Sequence, residues 1–289
     1  MNSLIHHIAS GQSFFSGVAL IVLAAVARFG KARRWSAILG TISACVGLIL
    51  IAVSSTPLPM GFYVVAGMIS LAWLGIEGST RATLRRPKLL LRCAVIAVWG
   101  LGAAMELPFH VSPRVPRLGH PALWIVGDSL GAGTGGEGDT WPKLLAKEHG
   151  LVVHDLARVG ANVNSAQAQA DRVTGPGALV LAEIGGNDVL GDTSPVAFET
   201  GLDALLSRLR SGQRTVLLLE LPLPPFSNKY GEIQRRLASR HGVLLVPKRV
   251  LIGVLTTPGA TTDSVHLTAA GHALMAETVW TIVRRAFEP

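Results

Sequence analysis

The chain has 289 residues, which is enough for one or two domains. Hydrophobic residues make up 49% of it and charged residues only 15%, a balance that is unusual for a soluble protein and indicates membrane segments. The charge is uneven, because residues 1–120 hold 11 Lys and Arg against 2 Asp and Glu, whereas residues 121–289 hold 15 against 16. The second part lacks the positive excess that nucleic-acid-binding proteins carry, so we expect no nucleic-acid partner.

Four apolar runs fill the first part of the chain. They cover approximately residues 14–27, 37–53, 60–76 and 89–107. A membrane-spanning helix needs about 20 mostly apolar residues, and the last three runs meet this length directly. The first run meets it if it extends from about Ser10 to Phe29. A signal peptide is the alternative for this run, but residues 2–13 contain no Lys or Arg and the positive charges follow the run.

The positive charges alternate from loop to loop. The loops after the first and third runs each hold four Lys or Arg residues, and the loop after the second run holds none. Cytoplasmic loops carry the Lys and Arg excess, so both termini are expected on the opposite side, although Arg114 and Arg117 oppose this orientation. The predicted organisation is a transmembrane four-helix region at 1–107, a Pro-rich linker at 108–121 and a second domain at 122–289.

Short apolar strands alternate with helices in the second domain. The predicted strands are 123–126, 151–156, 178–184, 215–219 and 243–246, and the predicted helices are 142–148, 166–173, 195–210, 229–241 and 268–287. Apolar strands that alternate with helices are typical of a parallel sheet covered on both faces. The sequence therefore predicts the α/β class, with five parallel strands.

Three short polar segments lie next to predicted elements. Gly127-Asp128-Ser129-Leu130 follows the first strand, Gly185-Gly186-Asn187-Asp188 follows the third, and Asp263-Ser264-Val265-His266 precedes the last helix. Open α/β sheets bind ligands at the carboxyl ends of their strands. A serine, a base, an acid and an amide donor are the components of an acyl-transfer site. Each residue also has a purely structural explanation. Ser129 could be an ordinary turn serine, Asn187 could form an Asx turn at a strand end, and Asp263 could cap a turn.

These segments resemble the first, third and fifth blocks of the SGNH (GDSL) hydrolase family. Residues 155–162 resemble the second block, with Gly160 at its glycine position and Val159 where the family usually has serine. The resemblance covers roughly residues 121–289. Trp141-Pro142 and Glu220-Leu221-Pro222 are similar to the branch that contains bacterial periplasmic acyl-thioesterases and lysophospholipases.

The resemblance implies a three-layer α/β/α, flavodoxin-like fold and a serine esterase. Ser129 would be the nucleophile, His266 the base and Asp263 the acid that orients the base. The backbone amides of Ser129 and Gly160, with the side chain of Asn187, would form the oxyanion hole. The implied reaction is hydrolysis of a carboxylic ester or thioester through an acyl-serine intermediate, and Asp128 and Asp188 would support the residues beside them.

Two other functions remain open, namely an acyltransferase that uses the same acyl-serine and a catalytically inactive, membrane-bound binding module. No segment has the residue spacing of a phosphate-binding loop or a metal site, so we expect neither cofactor nor metal. The expected location is a bacterial inner membrane, with the second domain on the extracytoplasmic side. The expected substrate is an acyl-lipid or an O-acylated envelope glycan, with residues 189–200 and 221–227 lining the acyl or leaving-group side.

Overall fold

The computed structural model describes residues 2–30, 34–79, 82–119, 121–135, 138–191 and 193–289. The chain forms two compact units. The helical unit comprises His7–Pro108 and Pro224–Asn228, and the α/β unit comprises Met1–His6, Phe109–Leu223 and Lys229–Pro289.

In the described part of the chain, five α-helices precede the sheet. They are α1 (Asn2–Ala9), α2 (Gln12–Ala27), α3 (Arg34–Ala52), α4 (Met60–Glu77) and α5 (Arg85–Glu106). By length and composition, α3, α4 and α5 could each cross a membrane. Helices α1 and α2 meet the same test only as a pair, and the pair is bent by 81°. Gly11 allows this bend because its φ of 83° lies in the left-handed region that glycine tolerates.

Helices α2 and α3 approach each other closely at two glycines. A Cβ atom on Gly17 would lie 2.5 Å from the carbonyl oxygen of Gly47, and a Cβ atom on Gly47 would lie 2.6 Å from that of Gly17. Neither position therefore has room for a larger residue. Small residues that bring two backbones together are typical of helix pairs in membranes.

Polar side chains of the helical unit turn toward neighbouring helices. Arg28, at the end of α2, donates to the hydroxyl of Thr41 at 2.6 Å and lies over the ring of Trp73. The indole of Trp99 donates to Ser70 at 2.9 Å, which joins α5 to α4. The large apolar side chains on the outer faces are exposed instead, and they include Leu39, Ile42, Ile49, Val64, Met68, Leu71 and Leu90.

The α/β unit contains a five-stranded sheet in the order β2-β1-β3-β4-β5, and every neighbouring pair is parallel. The strands are β1 (Leu123–Gly127), β2 (Val153–Asp155), β3 (Leu179–Glu183), β4 (Thr215–Leu219) and β5 (Leu244–Val246). All five predicted strands are thus present, and the predicted fold class is confirmed. The register pairs Gly127 at the end of β1 with Glu183 at the end of β3.

Helices cover both faces of the sheet. They are α6 (Ser129–Ala132), α7 (Trp141–His149), α8 (Gln167–Ala170), α9 (Gly186–Leu190), α10 (Pro195–Arg210), α11 (Asn228–His241), α12 (Lys248–Leu255) and α13 (Ala269–Val283). One apolar core holds side chains of β1, β3 and β4 together with α8, α10 and α11. A second core holds the alternate side chains of these strands with α7, α12 and α13. Because successive strand residues point to opposite faces, each strand contributes to both layers.

Two predicted helices are several residues longer than those observed. The helix predicted at 166–173 is limited to Gln167–Ala170, and the helix predicted at 268–287 ends at Val283, followed by a 3-10 turn at Arg284–Phe287. Helix α12 was not predicted from the sequence. It begins after Pro247 without a side-chain cap, so the usual N-terminal signal is missing.

Residues 109–121 of the predicted linker belong to the α/β unit. The guanidinium of Arg235 lies 3.8 Å from the ring centroid of Phe109, and Arg249 donates to the carbonyl of His110 at 2.9 Å. Near its end, the amide of Leu118 donates to the carbonyl of Ala286 at 3.0 Å. The boundaries at 107/108 and 121/122 remain predictions.

Candidate active site

Ser129 is the first residue of α6, directly after β1 and Asp128. The Asp128 carboxylate caps this helix by accepting the amide N–H of Leu130 at 3.0 Å. The preceding residue, Gly127, is held by the buried side chain of Gln169, which accepts from its N–H at 2.9 Å and donates to its carbonyl at 3.0 Å. Gly127 itself has no room for a side chain, because a Cβ atom there would lie 2.9 Å from Glu183 Oε2. Ser129 is therefore attached to a tightly held strand end.

Asp263 and His266 form a pair within one short loop. Asp263 Oδ2 lies 2.7 Å from His266 Nδ1, and Asp263 Oδ1 accepts the backbone N–H groups of His266 at 2.8 Å and Val265 at 3.1 Å. These hydrogen bonds, first that from the His266 backbone, hold the pKa of Asp263 well below its ordinary value. Ser264, between them, has a φ of 77°, which lets the chain turn back so that the acid reaches the ring.

Asn187 lies in the first turn of α9, after Gly185, whose φ of 110° requires glycine. Its side-chain nitrogen donates to the carbonyl of Ala161 at 2.9 Å and to Asp128 Oδ2 at 3.3 Å. The first bond reaches the loop that contains Gly160, whose φ of 74° also favours glycine. The amide of Asn187 thus joins the segments around Ser129, Gly160 and α9.

Asp188, the next residue of α9, also holds this loop. Its carboxylate accepts the N–H of Val163 at 3.0 Å and a side-chain hydrogen bond from Thr193. Asp188 is fully buried, and burial raises its pKa. Asp128 and Asp188, which we expected to support the residues beside them, therefore make direct hydrogen bonds between the motif segments.

The sequence and structure of this chain match known hydrolases. A model described as the GDSL-like Lipase/Acylhydrolase family matches residues 125–274, which is more than half of the chain. The chain belongs to this family. Esterase TesA of Pseudomonas aeruginosa is 30% identical over 176 residues, which cover 55% of this chain and 85% of that protein.

Solved structures of family esterases share the fold. A crystal structure of TesA has a TM-score of 0.50 and 25% sequence identity, and covers 57% of this chain and 99% of that one. The esterase EstA from Pseudoalteromonas sp. has a TM-score of 0.51 and 19% identity, and covers 57% of this chain and 97% of that one. The α/β unit is therefore an esterase-type hydrolase domain of the GDSL family with the SGNH fold.

The fold brings the predicted residues of this GDSL domain to one edge of the sheet. Asp128, next to Ser129, accepts a hydrogen bond from Asn187. Burial raises the pKa of Asp128, and His266 lies near enough to oppose this rise, so the three segments converge. Within the segments expected to line the substrate side, Phe198, Leu221 and Leu223 are buried in a core. Leu190 is 69% exposed, and thus lies on the surface.

Two residues of this region were not identified from the sequence. Gln169 and Glu183 are buried polar residues that bond Gly127 and Asp128, and both sit in segments that read as ordinary helix and strand. Within the described ranges, no three His, Cys, Asp or Glu side chains are grouped as ligands for a metal ion.

Proposed function

We propose that this protein is a membrane-anchored serine hydrolase that cleaves a carboxylic ester or thioester through an acyl-serine intermediate. The observation that carries the proposal is the convergence at Asp128. This carboxylate caps the helix of Ser129, accepts a hydrogen bond from Asn187 and lies within electrostatic reach of His266. Membership of the GDSL-like lipase/acylhydrolase family and the likeness to Esterase TesA support an ester as substrate.

In the proposed mechanism His266 takes the proton of Ser129. Its Nδ1 faces the Asp263 carboxylate, so Nδ1 carries the ring proton and Nε2 is free of one. The Ser129 oxygen attacks the substrate carbonyl as its proton passes to Nε2. The imidazolium then protonates the leaving group, which departs and leaves an acyl-serine. Water, deprotonated by the same His266, hydrolyses this ester and restores Ser129.

The negative oxygen of the tetrahedral intermediate needs hydrogen-bond donors. We assign this role to the side chain of Asn187 and the backbone amides of Ser129 and Gly160. Asn187 has two amide protons, of which one holds Ala161 at 2.9 Å and the other makes the longer, 3.3 Å bond to Asp128. The second proton, which Asp128 holds in place, is shared with the oxyanion as charge develops there. Such donors act mainly on the transition state.

The helical unit is proposed to be a membrane anchor. Its support is the outward exposure of large apolar side chains on α3, α4 and α5, which water disfavours and lipid accepts. Polar side chains that bond to neighbouring helices, as Trp99 does to Ser70, are also expected of a helical unit surrounded by lipid. From the alternation of loop charges we place the GDSL domain on the extracytoplasmic side of a bacterial inner membrane, with an acyl-lipid or O-acylated glycan as substrate.

Labelling with a fluorophosphonate tests the chemistry. The detergent-solubilised full chain is expected to be labelled on Ser129 and to hydrolyse esters of graded acyl length. The Ser129→Ala variant should do neither, whereas Ser207→Ala, which changes an exposed serine of α10, should do both. Labelling that survives in Ser129→Ala would disprove the nucleophile. Product analysis with added alcohols separates hydrolysis from acyl transfer.

Cysteine labelling in intact cells tests the topology. Met60 is 73% exposed and lies after the uncharged loop, so Met60→Cys should react with a membrane-impermeant maleimide added outside. The native Cys45 and Cys93 are exposed and must first be replaced by alanine. A reporter that works only outside the cytoplasm, fused after Pro289, should be active. An inactive fusion would place the domain in the cytoplasm and change the accessible substrates, without affecting the proposed chemistry.

A further inference from the structure

Two buried carboxyl groups, those of Asp128 and Glu183, lie next to each other close to the proposed nucleophile. Asp128 and Glu183 lie at the ends of the neighbouring strands β1 and β3, and only 4% and 1% of their surfaces are exposed. A hydrogen bond joins their side chains. The backbone N–H of Asp128 also points to Glu183 Oε2, at 3.5 Å. Two carboxylates that share a hydrogen bond in a buried site disfavour each other's ionised form, so we expect one of them to hold a proton.

The surroundings indicate which of the two holds it. Burial raises the pKa of Asp128, but the hydrogen bond from the Leu130 amide and the nearby His266 oppose this rise, and Asn187 also donates to its carboxylate. Glu183 faces two acids, Asp128 from β1 and Asp155 from β2. Among the described residues, Glu183 Oε1 has no hydrogen-bond partner, which a neutral carboxyl tolerates better than a carboxylate does.

We propose that Glu183 is a positioning residue that stays protonated at neutral pH and donates its carboxyl proton to Asp128, so that Asp128 holds the side chain of Asn187 for the reaction. This inference rests on the proposed function of Asn187 as an oxyanion donor. Glu183 does not touch the substrate and acts through Asp128. Burial and then the charge of Asp128 raise the pKa of Glu183 well above its ordinary value, which agrees with this assignment.

The pH dependence follows from the charges around the pair. Glu183 faces Asp128 and Asp155, and Asp128 also faces Asp188 on α9 and His266 in the loop before α13. When Glu183 loses its proton at high pH, a second negative charge appears beside Asp128 and the bond between them is lost. The wild-type kcat should then fall about tenfold for each further pH unit, which is the course expected for one essential proton.

Two substitutions at Glu183 test the proposal in the full chain. Glu183→Gln replaces the carboxyl by an amide that still donates to Asp128 but cannot ionise. It should keep kcat at neutral pH within about threefold and lose the alkaline decline. Glu183→Leu removes the donor, so kcat should fall about 10- to 100-fold, the range for one hydrogen bond to a charged group, with little change in KM. The matched control is Glu199→Gln, which changes a surface residue that forms an ion pair with Arg236 on the neighbouring helix. It should change neither kcat at neutral pH nor the alkaline decline.

Each result has a defined meaning. An alkaline decline that persists unchanged in Glu183→Gln overturns the proposal, and so does a wild-type kcat in Glu183→Leu. If Glu183→Leu does not fold, the pH profile of Glu183→Gln decides. Infrared spectra at neutral pH provide a readout besides activity, because the protonated-carboxyl band should be weaker in Glu183→Gln than in wild type. If the wild type fails to label at Ser129, the proposed function fails, and the infrared comparison still decides whether Glu183 holds the proton.

Discussion

The helical unit and the α/β unit place their apolar and polar residues in opposite ways. In the α/β unit, apolar residues such as Ile125 and Leu181 are buried, and the residues proposed for catalysis gather at the strand ends. In the helical unit, Leu39 and Leu71 are exposed on the outside, while Ser70 is buried and bonded to Trp99. The same physical rule, that each surface matches its solvent, explains both if water surrounds one unit and lipid the other.

The comparison predicts that the chemistry depends on the α/β unit alone, and His266 provides the sharpest test. His266→Ala should lower kcat by about 100- to 10,000-fold, the range for loss of a general base. The chain offers a matched control, because His241 and Asp203 form a second pair, with His241 Nε2 and Asp203 Oδ1 2.8 Å apart, on α11 and α10. His241→Ala should leave kcat unchanged. Equal losses in both variants would indicate that histidine removal acts through folding and not through the proposed base.

A substitution at Asn187 tests whether this residue stabilises the transition state or only binds the substrate. Asn187→Ala should lower kcat by about 100- to 1,000-fold and change KM little, because an oxyanion donor acts on charge that develops during the reaction. Steady-state kinetics on one ester measure both constants. A change confined to KM would make Asn187 a contact to the bound substrate and remove it from the oxyanion hole.

The buried proton of Glu183 should lower the stability of the folded wild type at high pH. The folded chain keeps the Glu183 proton, whereas the unfolded chain loses it above its ordinary pKa of 4.5. The wild type therefore loses stability as pH rises from that value toward the raised pKa, at up to about 1.4 kcal/mol per pH unit. Glu183→Gln has no such loss, so its free energy of unfolding should exceed that of wild type by more at pH 8 than at pH 5. A difference that is independent of pH would contradict a buried proton.

The helical unit should respond to changes that leave the chemistry intact. Gly47→Leu would place atoms against the carbonyl of Gly17, since even a Cβ atom there lies 2.6 Å away, and should destabilise α2 and α3 by about 1–3 kcal/mol. Gly67→Leu on α4 is the matched control, because a Cβ atom at Gly67 meets nothing within 4 Å. Thermal unfolding in detergent measures the difference. A lower kcat in folded Gly47→Leu protein would show that the two units are not independent.

Local patterns were enough to predict the five strands and the motif segments. The Ser129 turn and the Asp263–His266 loop each lie within a few consecutive residues, so the sequence displays them directly. Glu183 and Gln169 could not be predicted in this way. Their contacts to Asp128 and Gly127 exist only because β3 and α8 pack beside the end of β1. Glu183 does interrupt the apolar run of residues 178–184, but this does not indicate which residue it contacts.

Leu223 shows the same limit in another form. It lies in a loop of apolar residues that we expected to line the substrate side, yet it is buried in a core. Helix α1 was also not predicted, because eight residues with no acidic residue in the first turn carry little of the usual helix signal. For Leu223 the deciding contacts are distant in the sequence.

The loop from Asp263 to His266 has a consequence for how activity is lost on heating. Only two residues separate the acid from the base, and a turn at Ser264 and two hydrogen bonds from backbone N–H groups to Asp263 fix their mutual geometry locally. Their position relative to Ser129 depends instead on the packing of α13 and its loop against the sheet. On gentle warming, the Asp263–His266 pair should therefore move away from Ser129 while the pair itself stays intact. Inactivation would then precede global unfolding and would reverse on cooling.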